Sequence, residues 1–236
     1  MPQTITLSPN TQLIKSDVTL PVTDAWFEPG FWQAQNALSG TGNGRGAVWF
    51  IHNELGDFVI RRYHRGGLIA KFNKALFLYT GLKSTRPWLE LHLLEKMRAL
   101  NLPVPRPIAG LITTHNGFYR SALITETIAN ASDLFEMIKA GKSHTLDWNN
   151  IGHVIKRFHD HGIYHSDLNC HNIMVDQLNT VWVIDFDKCE QRPINPIWQQ
   201  NNLDRLKRSL NKESEKQASF TVTDTQWNHF LEGYRG

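Results

Sequence analysis

Hydrophobic positions along this chain repeat with two periods, and each period marks out its own elements. A helical period runs through residues 85–100, where Leu89, Leu93, Met97 and Leu100 recur behind Thr85 as N-cap and Pro87 in the first turn. The cleanest helix is expected over residues 146–161. Asp147 caps it, Ile151, Val154, Ile155 and Phe158 form an i, i+3, i+4, i+7 stripe, and Gly162 stops it. Two more follow near the end: Leu203, Leu206 and Leu210 share a face over residues 201–212, and Trp227, Phe230, Leu231 and Tyr234 follow an N-cap at Thr223 or Asp224. Shorter helical turns are expected over residues 31–38, and from Ser132 or Asp133 to about residue 140.

The second period is that of the strand. Apolar β-type runs cover residues 47–51, 58–63, 108–113, 118–124, 173–175 and 181–184. His115-Asn-Gly117 predicts a hairpin turn between the third and fourth of these. Residues 1–30 are polar and Thr-rich, enough for one or two weak strands. Pro103-Val-Pro-Arg-Pro107 ends the preceding helix, and Thr125-Glu-Thr-Ile128 links a strand to a helix in the manner of a hinge between lobes. The expected division is residues 1–127 and residues 128–236.

Composition narrows the class without choosing a function. A chain of 236 residues with 41% hydrophobic and 20% charged residues suits one large or one two-lobed globular protein. Its eight Trp are expected mainly in packing. A net charge of +3 sets aside bulk nucleic-acid binding, but its distribution is one-sided. Residues 58–89 hold Arg61, Arg62, Arg65, Lys71, Lys74, Lys83 and Arg86 with no Asp or Glu, with Phe72, Leu76, Phe77 and Trp88 interleaved. An anionic partner, or reversible contact with an anionic membrane surface, is expected there. Cys170 and Cys189 match no disulfide or zinc framework, so a reducing compartment is the default. No signal-peptide pattern and no apolar run of spanning length is seen, which predicts a soluble or peripheral protein.

The chemistry concentrates in residues 163–187. Asp167 and Asn172 stand five apart on a loop between the cleanest helix and a β-type run, and a second such run ends at Asp185. Hairpin geometry returns Asp185 beside Asn172, so both can hold metal ions against nucleotide phosphates while Asp167 takes the proton of an attacking hydroxyl. Upstream, Ser39-Gly-Thr-Gly-Asn-Gly-Arg-Gly46 offers backbone amides at Gly42, Gly44 and Gly46 for phosphate approach. Arg61 ends a strand where a cation could pair with α/β-phosphates, and Glu90 on a helix face is its expected partner. Backbone groups of Glu126 to Ile128 could bond an adenine edge. A metallohydrolase built from His159, His161, His165, Cys170 and His171 is the competing chemistry, although His159 and His161 do not share a helix face. A nucleotide-binding module without transfer activity is the other alternative.

His165-Ser-Asp-Leu-Asn-Cys-His-Asn172 with Ile184-Asp-Phe-Asp187 resembles the catalytic loop and metal-binding segment of the protein-kinase-like superfamily. With Arg61-Arg-Tyr-His-Arg-Gly-Gly67, Pro103-Val-Pro-Arg-Pro107, Ala131-Ser-Asp-Leu134 and Asn202-Leu-Asp-Arg-Leu-Lys-Arg208, the resemblance narrows to the lipopolysaccharide kinase family, from about Gly40 onward. It implies an α+β, two-lobed, protein-kinase-like fold, with an antiparallel-sheet N-terminal lobe and a reduced helical C-terminal lobe. It further implies ATP and Mg2+, Asp167 as catalytic base, and Asn172 and Asp185 as metal ligands. The implied acceptor is a 3-deoxy-D-manno-octulosonic acid (Kdo) sugar on an anionic lipid A precursor, phosphorylated at the cytoplasmic face of a bacterial inner membrane, with heptose as the alternative. No Ala-Pro-Glu segment follows Asp187, which favours a glycolipid over a peptide acceptor. The sequence departs from the pattern in three places. Arg61 stands where most kinases have lysine, Asp187 replaces a glycine, and Asn169 takes the place of a catalytic-loop lysine, leaving one cation fewer.

Overall fold

The computed structural model describes residues 2–16, 19–43, 47–64 and 75–236. They form two compact units, residues 1–96 with 105–127 and residues 97–104 with 128–236. The α+β class expected from the sequence is the one observed.

The first unit is built on an antiparallel sheet. Its elements are β1 (Gln3–Ser8), β2 (Thr11–Lys15), α1 (Pro29–Ala34), β3 (Leu38–Asn43), β4 (Ala47–Asn53), β5 (Gly56–Arg62), β6 (Phe77–Leu78), α2 (Arg86–Ala99), β7 (Pro107–His115) and β8 (Phe118–Glu126). The strand order is β1-β2-β7-β8-β5-β4-β3, with β6 pairing on β8. Asn116 and Gly117 both take positive φ (48° and 76°), the two-residue turn whose twist suits the β7–β8 hairpin. Phe58 and Ile60 of β5, Ile108 of β7 and Ile124 of β8 are buried in one apolar cluster with Trp26, Phe27 and Trp32. Trp32 donates its indole N–H to the Trp26 carbonyl at 2.7 Å, so these tryptophans are core.

Two expectations for this unit need correction. Leu89 does not belong to the buried stripe of α2: it is 53% exposed, whereas Leu91, Leu94 and Met97 are fully buried. The phase is set by Gly110 of β7, whose bare Cα admits Pro87 and Leu91; a Cβ there would lie 2.8 and 2.9 Å from them. The glycine-rich stretch is also less of a loop than expected. Gly40 and Gly42 lie in β3, paired with Phe50 and Val48 of β4. Gly44 and Gly46 fall outside the described residues, as do Arg65, Phe72, Lys71 and Lys74 of the basic stretch. Of the apolar residues interleaved there, Phe77 is buried under the Arg86 guanidinium and Trp88 stacks on His92.

The second unit contains β9 (Ala131–Asp133), α3 (Leu134–Lys139), α4 (Trp148–Asp160), β10 (Ile163–Tyr164), β11 (Ile173–Asp176), β12 (Val181–Val183), β13 (Glu190–Gln191), α5 (Pro196–Lys216) and α6 (Asp224–Arg235). Strands β12-β11-β9 form one small antiparallel sheet and β10-β13 another. Helix α4 is its centre. Asp147 caps it by accepting from the Asn150 N–H at 2.9 Å, and Ile151, Val154, Ile155 and Phe158 are all buried. Gly162 stops it at φ 71°. Helix α6, started by a Thr223/Gln226 capping box, crosses α4 backbone to backbone. A Cβ on Gly152 would stand 2.0 Å from the Phe230 carbonyl oxygen, and one on Gly233 would stand 1.9 Å from that of Asn149.

That crossing has no room for a methyl group. Gly152→Ala and Gly233→Ala should each destabilise the protein by about 3 kcal/mol in urea unfolding, through enforced separation of two helices. Gly30→Ala on α1, where an added Cβ meets nothing within 4 Å, should leave stability unchanged or raise it by up to ~1 kcal/mol. Equal unfolding midpoints for all three variants would contradict this packing.

Candidate active site

In the first unit a buried carboxylate organises the residues expected to meet phosphate. Glu90 of α2 is only 3% exposed, and a lone charge there would be strongly disfavoured. It is satisfied twice: Arg61 Nη2 donates to Oε1 at 2.5 Å and the Tyr63 hydroxyl donates to Oε2 at 2.6 Å. Alternation along β5 explains the choice of arginine. Arg61 and Tyr63 share a face with α2, while Arg62 turns the other way to Glu28 at 2.7 Å and over the Trp49 ring. The Tyr63 contact was not foreseen; its position two residues beyond Arg61 is the signal that could have found it. At the end of β8, Glu126 is gripped by Arg106 through Nε at 3.1 Å and Nη2 at 3.3 Å. Its N–H donates to the Arg106 carbonyl and the Thr127 N–H to the Asp57 carbonyl, so the end of β8 is held within the first unit.

In the second unit the loop after β10 is knotted around one imidazole. His165 is 4% exposed. Its Nδ1 accepts the Asp167 N–H at 3.2 Å, and its Nε2 donates to the Ile184 carbonyl at 3.0 Å. Both roles require the neutral ring, and burial holds the pKa of His165 below the usual histidine range. The ring thereby ties the loop that carries Asp167 to the segment that carries Asp185. Further ties join the same two segments. The Ile184 N–H donates to the Asn172 carbonyl at 3.0 Å, and the Ser166 hydroxyl to the Asp187 carbonyl at 2.8 Å.

Phe186 anchors the segment that carries Asp185. Its ring is 1% exposed and stacks on Phe158 of α4 with centroids 5.9 Å apart, leaving Asp185 and Asp187 on either side of the anchor. Asp185 takes φ 64°, a left-handed conformation that costs a non-glycine residue on the order of 1 kcal/mol. Such strain at an acidic strand terminus points to a functional orientation. Asn172 is 8% exposed and donates its amide to the Asp167 carbonyl at 2.9 Å. That bond commits the amide nitrogen, so the oxygen is the atom of this side chain that could hold a cation. Among the described residues no three His, Cys, Asp or Glu side chains gather as a metal cluster. The arrangement instead offers one amide oxygen and the Asp185 carboxylate. This fits Mg2+, which takes one or two protein oxygens and completes its shell with water and substrate phosphates.

The zinc reading has no cluster to rest on, since among the described residues no three such side chains gather. His159 instead bonds the Tyr234 hydroxyl at 2.7 Å in the α4–α6 contact, and burial pushes its pKa down to about 4. Burial also pushes the Cys170 thiol up to about 11.

Three residues of α5 complete the loop and were missed as site residues. Asn202, 1% exposed, clamps His165 at both ends of its backbone: its Oδ1 accepts the N–H at 3.2 Å and its Nδ2 donates to the carbonyl at 3.0 Å. Arg205 Nη1 donates to Asp167 Oδ1 at 3.0 Å, and Ser209 Oγ accepts the Cys170 N–H at 3.1 Å. These positions are i, i+3 and i+7 of one helix. An asparagine sharing the apolar stripe of Leu203, Leu206 and Leu210 was the available signal.

The family model described as "Lipopolysaccharide kinase (Kdo/WaaP) family" matches residues 30–234. A Vibrio vulnificus (strain YJ016) protein named 3-deoxy-D-manno-octulosonic acid kinase is 40% identical over 210 residues, covering 89% of this chain and 88% of its own. One of the same name from Mannheimia succiniciproducens is 39% identical over 233 residues, covering 94% and 95%. A third, from Haemophilus influenzae (strain PittEE), is 36% identical over 226 residues, covering 92% and 93%.

His159 and His165 bind protons less well folded than unfolded. The stability they confer is therefore full above about pH 6.5 and is lost as pH falls from there, for His159 toward about 4. His159 can contribute up to ~1.4 kcal/mol per pH unit in that window. Urea midpoints should fall steadily between pH 6.5 and 5, with a shallower slope in His159→Gln; a flat profile would contradict neutral burial.

Proposed function

Because the chain belongs to the lipopolysaccharide kinase (Kdo/WaaP) family, we propose that it transfers the γ-phosphoryl group of ATP to a hydroxyl, the 4-OH, of a Kdo sugar on a lipid A precursor. The observation that carries this reading is the bonded loop that joins Asp167, Asn172 and the Asp185 segment, with Asp167 exposed and the Asn172 amide nitrogen committed to the Asp167 carbonyl. Asp167 receives the hydroxyl proton as the oxygen attacks. Asn172 and Asp185 would hold Mg2+, which neutralises charge on the phosphates. Arg61, fixed by Glu90 and Tyr63, would pair with the α/β-phosphates, and the Gly42, Gly44 and Gly46 backbone would approach them. The carbonyl of Glu126 and the N–H of Ile128 would meet the adenine edge.

The substrate's lipid end sets where the enzyme works. Among the described residues no helix is long and apolar enough to cross a membrane. We place the enzyme as a peripheral protein at the cytoplasmic face of the inner membrane, drawn there by its cations and by the anionic glycolipid. Domain roles follow: residues 1–127 for nucleotide phosphates, residues 128–236 for catalysis, metal and acceptor.

Labelled ATP supplied with Kdo-bearing and heptose-bearing precursors side by side should give label on the Kdo sugar. Asp167→Ala should lower turnover about 10³-fold while ATP binding stays within about threefold. Label on heptose alone would reassign the acceptor. Mg-dependent ATP binding with no transfer would make the chain a binding module, and near-normal turnover in Asp167→Ala would remove Asp167 from the chemistry.

A further inference from the structure

Asn169 cannot serve as the cation of the catalytic loop. Its amide donates to the Asp167 carbonyl at 2.9 Å and its oxygen accepts the His171 N–H at 2.9 Å, so both ends are spent inside the loop. A positive charge nevertheless stands beside the base. Arg205 reaches from α5 to within 3.0 Å of Asp167 Oδ1, three residues beyond the Asn202 that clamps His165. The position of α5 against the loop is therefore set by a buried bond at Asn202 and a half-buried one at Ser209, and Arg205 is delivered between them. Among the described residues this guanidinium spends one of its five donors. The pair is exposed, with side chains 45% and 63% accessible, and such pairs add little to stability.

We propose that Arg205 is the transfer cation of this kinase, holding Asp167 in place before reaction and stabilising the migrating phosphoryl group during it. The inference rests on the kinase reading above. In the transfer, the acceptor oxygen forms a bond to the γ-phosphorus as its proton passes to an Asp167 carboxylate oxygen. The bond from γ-phosphorus to the bridging oxygen breaks, and its electron pair leaves with ADP. Protonation of Asp167 neutralises one half of the Arg205–Asp167 pair. The guanidinium charge is thus released at the step in which charge spreads over the phosphoryl oxygens, and its unspent N–H groups can meet them. A helix 38 residues downstream of the base supplies what the loop itself lacks.

Steady-state kinetics with a Kdo-bearing lipid A precursor test this on the full chain. Arg205→Met, which removes charge and keeps length, should lower kcat by about 10²- to 10³-fold, with KM for ATP and for the acceptor each within about threefold of wild type. Arg205→Lys should recover activity to within about tenfold of wild type, and added guanidinium at about 50 mM should partly rescue Arg205→Met but not Asp167→Ala. Melting temperatures of the Arg205 variants should match wild type. The proposal is overturned by a kcat within threefold of wild type in Arg205→Met, or by a loss confined to acceptor KM, which would make Arg205 an acceptor-binding residue. A loss rescued by neither lysine nor guanidinium and accompanied by a lowered melting temperature would equally overturn it. Failure of the wild-type chain to label any Kdo- or heptose-bearing acceptor would overturn the kinase reading, and this inference with it.

Discussion

A neutral imidazole buried between two chain segments sets the geometry of the second unit. His165 can accept from Asp167 and donate to Ile184 only in one tautomer and only without charge. Burial enforces the second condition and the two backbone partners enforce the first. The residue itself takes no part in chemistry, yet the direction of the Asp167 backbone and the end of β12 both depend on it. Asn202 removes the remaining freedom, since bonds to both the N–H and the carbonyl of His165 leave the knot no rotation about its own backbone. Asp167 and Asn172 then stand on a loop tied by these bonds and by the Asn172 amide to the Asp167 carbonyl, so on the proposed function an acceptor and a metal would meet side chains already oriented.

The first unit solves a similar problem around a carboxyl group. In its interior an arginine and a phenol each take one of the Glu90 oxygens. Breaking such a pair leaves a buried charge, which makes the arrangement a positioning device more than a source of stability. Arg61 is the residue it positions, through the Nη2 bond to Glu90. Arginine differs here from lysine in presenting a planar fork that stays charged at any physiological pH.

Local signals in the sequence were enough for most elements and for the residues of the loop. Periodicity found α4 with its cap and stop, Asn-Gly found the β7–β8 turn, and alternation along β5 separated Arg61 from Arg62. What escaped depended on contacts made far along the chain. Leu89 fits the helical period of α2 as well as Leu91 does, and only Gly110 of β7 decides between them. Gly152 and Gly233 look like weak points in two helices until the helices are seen to cross there. Asn202 and Arg205 read as one polar and one charged position on a surface helix, and nothing local to α5 announces that its face runs along residues 165–170. The absent lysine at Asn169 suggested a deficit of charge, whereas the deficit is met from a different element.

That substitution of source has a consequence for how the site can be built. A cation two residues from the base along one loop is fixed by the loop alone, and any change in loop conformation moves base and cation together. Here base and cation belong to different elements, held in register by Asn202 on one side and Ser209 on the other. The alignment of the charges then depends on the packing of α5, whose Leu203, Leu206 and Leu210 are buried. Core substitutions on that helix, made far from any substrate, would be felt in the transfer step as well as in stability. A shift of about 1 Å in Arg205 weakens a directional, charge-assisted bond steeply, while the exposed pair itself contributes almost nothing to folding.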